Sequence, residues 1–421
     1  MVATELLLKV VVASSTSVAR VMMVGCAGVL LSRRSILDGA ARRKVAELST
    51  YCLLPALLFW QVSAAVARAG LRIAHWLILP CYAVLHCALG LALAKCACRC
   101  RRWFRGERER RDPTLRPVFS PMTSADLDDE ELGETDAADD GGDALLEAVV
   151  MMTAAFPNSG GLPLALVDAL CASSARSFLG GDECLAATVG YVSFYISVMN
   201  PLQWAVCPRL LATDAPAPAP AKDAPPSPPP SLPRRCAACV AALLRKPAPP
   251  VWGAILGGVL GAVPGARDAL LGPPGRASVL GGAVQLVSSA AVPVGIINLG
   301  GSVASKAGRS ERGGDVAVPG GLLGAAVVIR LLVVPCLSCA ATVALRLYAP
   351  AVVPPGDAAL TLVLMLESTP PPAMQCMIFC QLFSQAAERP LGKVLVAQYG
   401  ASLATLTAWI ALFLTLLGQD E

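Results

Sequence analysis

An apolar segment reaching from residue 144 to residue 172 is interrupted at its middle by Phe156-Pro157-Asn158-Ser159-Gly160-Gly161-Leu162-Pro163. The flanks are apolar enough to sit in lipid, but the two prolines and two glycines cannot continue a helix. Proline removes a backbone donor and clashes with the preceding turn, and glycine adds conformational freedom. Irregular backbone at membrane depth is tolerated only where protein buries it or where it lines a cavity. The stretch therefore predicts a helix broken near the membrane midplane.

A second interruption, Pro370-Pro371-Pro372-Ala373-Met374-Gln375, lies between apolar stretches at 358–366 and 376–383. The two breaks fall at corresponding places in two hydrophobic halves. Paired interrupted segments of this kind point to the binding site of a transporter. The plainer alternative is two proline kinks without a site, which leaves the Gly-Gly pair and the amide of Asn158 unexplained. A mean hydropathy of +0.61 with only 15% charged residues places the chain among polytopic membrane proteins. Its length accommodates roughly ten spans of ~20 residues.

Taken in order, apolar spans are expected near 6–31, 45–66 and 73–97, within a first unit 1–98. Unit 99–143 carries an arginine run and then an acidic run, and reads as a solvated charged loop. Unit 144–211 holds the broken fourth span and a fifth, and unit 212–249 is a Pro/Ala-rich linker that cannot pack a core. Unit 250–421 holds spans near 251–263, 279–303 and 322–345, the second broken span, and a last span near 394–417. The expected fold is all-α: ten transmembrane helices as a 5+5 repeat, inverted because each half has an odd number of spans.

Lys and Arg concentrate in the connections after spans one, three, five, seven and nine, so that face is expected in the cytosol and both termini opposite it. The connection between spans four and five then faces an oxidising compartment, and a disulfide between Cys171 and Cys184 is expected there. Most of the 16 cysteines read as small buried residues, and Glu5 argues against a cleaved leader. Cys96, Cys98 and Cys100 form a juxtamembrane cluster open to palmitoylation. The Cys236/Cys239 pair lacks a second pair for zinc, and His75 and His86 read as packing residues. No metal or cofactor is expected.

Several motifs together resemble the auxin efflux carrier family, in particular its PIN-LIKES branch. These are Asn158-Ser159-Gly160-Gly161-Leu162-Pro163-Leu164, Gly190-Tyr191-Val192-Ser193, the segment 286–301, Val327-Val328-Ile329-Arg330, and Pro371-Pro372-Ala373-Met374 followed by Gln381-Leu382-Phe383. The resemblance covers all ten expected spans and fails in the two charged or Pro-rich connections. It implies an elevator-type carrier for indole-3-acetic acid or a related small organic anion, with the broken helices crossing at their interruptions. It also implies an endoplasmic reticulum membrane, with the plasma membrane as alternative. The chain departs from the family pattern at Gln375, Pro370 and Glu367, all beside the expected site.

The two half-helices after the breaks are expected to aim their N-terminal N–H groups at one point, a site for a carboxylate. The substrate-binding residues would be Asn158, Gly160, Gly161, Leu162, Pro163, Pro371, Pro372, Met374 and Gln375. Glu367 either takes up a proton coupled to substrate or pairs with Arg330, since charges inside spans are costly unless paired. Arg20 either is another candidate partner or snorkels to the interface, and Asp168 approaches the surface. No zinc-protease, nucleophile-elbow, P-loop or carboxylate-dyad pattern is present, so an enzyme is not expected. The expected partners are a small organic anion and the bilayer, with a homodimer left open and no nucleic acid. The alternatives are a sodium- or proton-coupled dicarboxylate carrier, with Ser288-Ser289 and Ser368-Thr369 as sodium-ligand candidates, and a receptor or scaffold.

Overall fold

The computed structural model describes residues 12, 16, 19, 22–69, 76–111, 130–177, 179–212, 248–271, 278–304 and 317–418. Lys9, Arg20, His75, Cys236, Cys239 and most of the Pro-rich linker lie outside these. The regular structure among the described residues is helical, with one isolated antiparallel bridge. Among the described residues, six helices are long and apolar enough to cross a membrane, or seven if a bent pair counts as one span. The protein is an all-α membrane protein.

The first half comprises α1 (Met22–Arg33), α2 (Gly39–Leu48), α3 (Leu54–Ala69), α4 (Ile78–Arg111), α5 (Glu130–Ala155), α6 (Gly161–Cys171) and α7 (Cys184–Leu211). The second comprises α8 (Pro249–Ala262), α9 (Pro264–Leu271), α10 (Ser278–Ala304), α11 (Gly320–Val328), α12 (Val334–Tyr348), α13 (Ala358–Leu366), α14 (Gln375–Phe383) and α15 (Glu388–Leu417). A disulfide between Cys171 and Cys184, with Cα atoms 5.7 Å apart, ties the end of α6 to the start of α7.

Two π turns have one cause. Ser49–Leu53 joins α2 to α3, Ile329–Val333 joins α11 to α12, and each is followed two residues on by a proline, Pro55 or Pro335. Proline cannot donate to the carbonyl four residues back, so the ladder widens there instead of breaking. In the second case that carbonyl belongs to Leu331, and the Trp409 indole N–H donates to it at 2.8 Å. The π turn also carries Arg330 into the protein interior, where its side chain is fully buried.

Glycines divide the helices into two groups. A Cβ added at Gly253, Gly257 or Gly261 of α8 would meet the backbone of Pro55, Phe59 or Ser63 in α3 at 2.2, 2.4 or 2.6 Å. Gly28 and Gly300 bring α1 and α10 equally close, and Gly281 does so for α10 and α9. Gly90 of α4 lies against Ala154 O of α5, where a Cβ would sit 2.4 Å away. Such small-residue contacts let helix backbones approach closely in lipid. Among the described residues, every approach of this kind stays within the set α1–α3 and α8–α10 or within the set α4–α7 and α11–α15.

The charged segment 99–143 is more regular than the sequence suggests. Helix α4 continues through its arginine run to Arg111, and α5 begins within the acidic run at Glu130. Basic residues complement the C-terminal pole of a helix and acidic ones the N-terminal pole, so each run extends the helix that carries it. Asp143 receives Arg101 at 3.3 Å and Arg105 at 2.6 Å, and Arg102 pairs with Glu147.

Candidate functional site

The two interruptions meet as the isolated bridge, Pro157 opposite Pro372. Asn158 N–H donates to Pro371 O at 2.8 Å, and Ala373 N–H donates to Phe156 O at 2.8 Å. The prolines thus occupy the two positions of this bridge that donate nothing, so their missing N–H groups cost no hydrogen bond. The three consecutive proline carbonyls are also satisfied. Pro370 O accepts from Arg330 Nε at 2.9 Å, Pro371 O from Asn158 N–H, and Pro372 O from the Tyr399 hydroxyl at 3.1 Å.

Past the crossing, α6 and α14 start without a side-chain cap at either N-terminus. Uncapped N–H groups and the positive pole of the helix dipole are a receptor for an anion. Both starts border one cavity of about 140 Å³. Its wall contains Asn158, Gly160 and Gly161 from the first break and Ala373, Met374 and Gln375 from the second. The opposite wall comes from Leu54, Leu57 and Gln61 of α3 and Val292, Gly295 and Ile296 of α10, with Ile196 and Asn200 of α7 between them. The cavity therefore lies where the two helix groups face each other.

The expected site residues divide. Asn158, Gly160, Gly161, Met374 and Gln375 line the cavity, whereas Leu162, Pro163, Pro371 and Pro372 do not. Leu162 and Pro163 sit on the buried face of α6, with Leu162 only 1% exposed. Pro371 and Pro372 form the buried crossing strand, and their carbonyls are already engaged. Asn158 Nδ2 donates to the Tyr399 hydroxyl at 2.9 Å, so a residue of α15 orients the amide. Gln375 and Gln61 each hold a buried amide oxygen with no hydrogen-bond partner among the described residues.

The Glu367–Arg330 ion pair does not form. Arg330 gives its donors to backbone carbonyls of Pro370, Ser368 and Ala154. Both carboxylate oxygens of Glu367 are buried without a hydrogen-bond partner among the described residues. The Ser159 hydroxyl faces this carboxylate but gives its one proton to Pro157 O at 3.3 Å. Asp168 is exposed on α6. Ser288 and Ser289 donate to carbonyls of their own helix, and Ser368 and Thr369 donate back to the last carbonyls of α13. His86 bridges the Tyr195 hydroxyl and the Ser338 hydroxyl at 2.8 Å each, a buried packing link among α4, α7 and α12.

Sequence reading missed three things here. Tyr399 and Gln61 stand on helices with no local irregularity to mark them, and Asn200 is marked only by Pro201, which follows it inside α7. It also missed a second polar cluster, at the far end of α14. Glu388 accepts from Arg42 Nε at 3.1 Å, Ser302 Oγ at 2.9 Å and Gln381 Nε2 at 3.1 Å. Gln381 Oε1 in turn accepts from Asn298 Nδ2 at 2.6 Å. This cluster joins α2 and α10 to α14 and α15.

Crossed, interrupted helices whose uncapped starts border one largely apolar cavity, in an all-α membrane protein, fit a membrane transport protein. Residues 141–410 match the family model described as membrane transport protein, so the chain belongs to that family, the auxin efflux carrier family. It is also similar to Protein PIN-LIKES 7 of Arabidopsis thaliana, with 26% identity over 314 residues, covering 65% of this chain and 74% of the relative.

Proposed function

We propose that the protein carries indole-3-acetic acid, or a similar small organic anion with an apolar body, across its membrane. The observation that carries this reading is the pair of uncapped helix N-termini, α6 and α14, bordering one cavity. The carboxylate is bound there by backbone N–H groups with Asn158 and Gln375, which add amide donors without a full charge and so allow release. Met374, Leu54, Val292 and Ile296 hold the apolar ring. Glu367, buried one turn before the second break, takes up the coupled proton.

In this reading the two half-helix pairs, α5/α6 and α13/α14, are the fourth and ninth of ten spans in two inverted halves. The group α4–α7 with α11–α15 slides as an elevator against α1–α3 with α8–α10, carrying the crossing from one side to the other. Both termini face away from the cytosol, as the distribution of Lys and Arg favours, and the membrane is that of the endoplasmic reticulum.

The test is uptake of labelled indole-3-acetate and malate into proteoliposomes holding wild type or Asn158→Ala. Saturable indole-acetate uptake that the substitution abolishes is expected. Malate uptake alone would keep the carrier and replace the substrate, and flux of neither would sink the reading.

A further inference from the structure

Each interrupted helix has two cut ends, and the N-terminal ends at the cavity account for only half of the crossing. The other half is the C-terminal end of α5 and the residues leaving α13. Carbonyls there lack an intrahelical partner and carry the negative pole of the helix dipole. In lipid such groups must be satisfied internally. In carriers built on broken helices, C-terminal ends and unwound carbonyls of this kind commonly hold a coupling cation.

Here one side chain meets them. Arg330 reaches Pro370 O with Nε at 2.9 Å, Ser368 O with Nη2 at 2.9 Å and Ala154 O with Nη1 at 3.3 Å. These oxygens come from both broken helices, and Arg330 is 0% exposed. The planar fork matches the spread of the three acceptors, which a point charge does not. Its position is built by the π turn Ile329–Val333, and Gly90 keeps α4 close against the Ala154 carbonyl.

We propose that Arg330 is a tethered cation filling a carbonyl cage formed by the C-terminal ends of the two interrupted helices. The cage is itself a guanidinium site, closed in the wild-type protein and opened to small guanidinium ions when the side chain is removed. Filling it neutralises the negative half of the crossing and leaves the N-terminal half free for the anion. The inference rests on the carrier reading for that consequence and on the geometry alone for the cage.

The experiment is thermal melting of the purified protein in detergent, wild type against Arg330→Ala and Arg330→Gln. Each is measured with millimolar methylguanidinium and with equal tetramethylammonium, which has no N–H donors. Both variants should melt lower than wild type. Methylguanidinium should raise their melting temperature saturably, as a ligand of the folded state does, and leave wild type unchanged. Tetramethylammonium should raise none of them. Absence of a methylguanidinium-specific rise in the variants, or an equal rise in wild type, overturns the proposal.

If neither variant can be purified, Arg330→Lys decides. Melting and uptake equal to wild type would overturn the claim that the planar fork spans three carbonyls. In proteoliposomes, indole-acetate uptake lost in Arg330→Ala should return in part with methylguanidinium. The melting readout needs no transport, so it judges the cage even if the protein moves no labelled acid.

Discussion

Replacing Tyr399 by Phe removes one oxygen and tests how the crossing is held. The hydroxyl accepts from Asn158 Nδ2 at 2.9 Å and donates to Pro372 O at 3.1 Å, so it joins a cavity-lining amide to the crossing strand. The two losses differ in kind. Asn158 borders the cavity and its freed amide can turn to water, so that bond is worth about 0.5–1.5 kcal/mol. Pro372 is buried at the crossing and its carbonyl accepts no other hydrogen bond among the described residues, so leaving it unsatisfied costs about 1–3 kcal/mol. The variant should therefore lose about 1.5–4.5 kcal/mol and melt several degrees lower in detergent. Its amide, no longer oriented, should bind indole-3-acetate about tenfold more weakly, a cost of ~1.4 kcal/mol. A melting temperature within about a degree of wild type, together with an unchanged KM for uptake, would refute the argument that Tyr399 orients the site.

Two further outcomes follow from contacts remote from the cavity. The disulfide closes a connection with a sequence separation of 13, so Cys171→Ser or Cys184→Ser should cost about 3 kcal/mol. Maleimide labelling of the remaining thiol without prior reduction, absent at these positions in wild type, checks the bond. At the far end of α14, Glu388→Gln leaves the Arg42 guanidinium, 6% exposed, without its counter-charge, at a cost of about 3–5 kcal/mol. Arg42→Gln combined with Glu388→Gln should be less destabilising than the sum of the two single changes. Strict additivity in melting free energies would show that the pair is not coupled.

What could be read from the sequence was whatever broke a local rule. Prolines and glycines inside an apolar run cannot form a continuous helix, so both interruptions and their flanks were legible, as was the cavity position of Asn158 and Gln375. Which side of each break faces the cavity was not. Leu162 and Pro163 were expected in the site as the start of the half-helix after the first break, yet the turn of α6 points them into the core. Arg330 and Glu367 stood out as charges in lipid, and opposite charges invite pairing. Backbone acceptors freed by the breaks compete for the guanidinium, however, and a sequence does not display its carbonyls. Tyr399 and Gln61 obey every rule of an ordinary helix, and only tertiary placement gives them a role. The charged segment misled for the opposite reason. Its like-charge runs look self-repelling in isolation, but each lies at the helix pole that favours it and the two runs meet through Asp143.

The placement of contacts also bears on how the cavity can change sides. Glycine-mediated backbone approaches leave no room for sliding, because each glycine is held against a carbonyl on the neighbouring helix. Those approaches bind α3 to α8, α1 to α10 and α4 to α5, and none joins the two groups of helices. Between the groups stand side chains: the apolar and amide wall of the cavity, and the cluster of Arg42, Ser302 and Asn298 with Gln381 and Glu388. Side-chain contacts of this kind can be exchanged for others one turn away, whereas interlocked backbones cannot move past each other without a clash. Gln375 and Gln381 stand near opposite ends of the single helix α14, so any shift of that helix relative to α2 and α10 alters the cavity wall and the Glu388 cluster together. The sliding reading thus requires that Glu388→Gln change the turnover of uptake as well as stability. Uptake kinetics identical to wild type in a folded Glu388→Gln protein would place the moving boundary elsewhere.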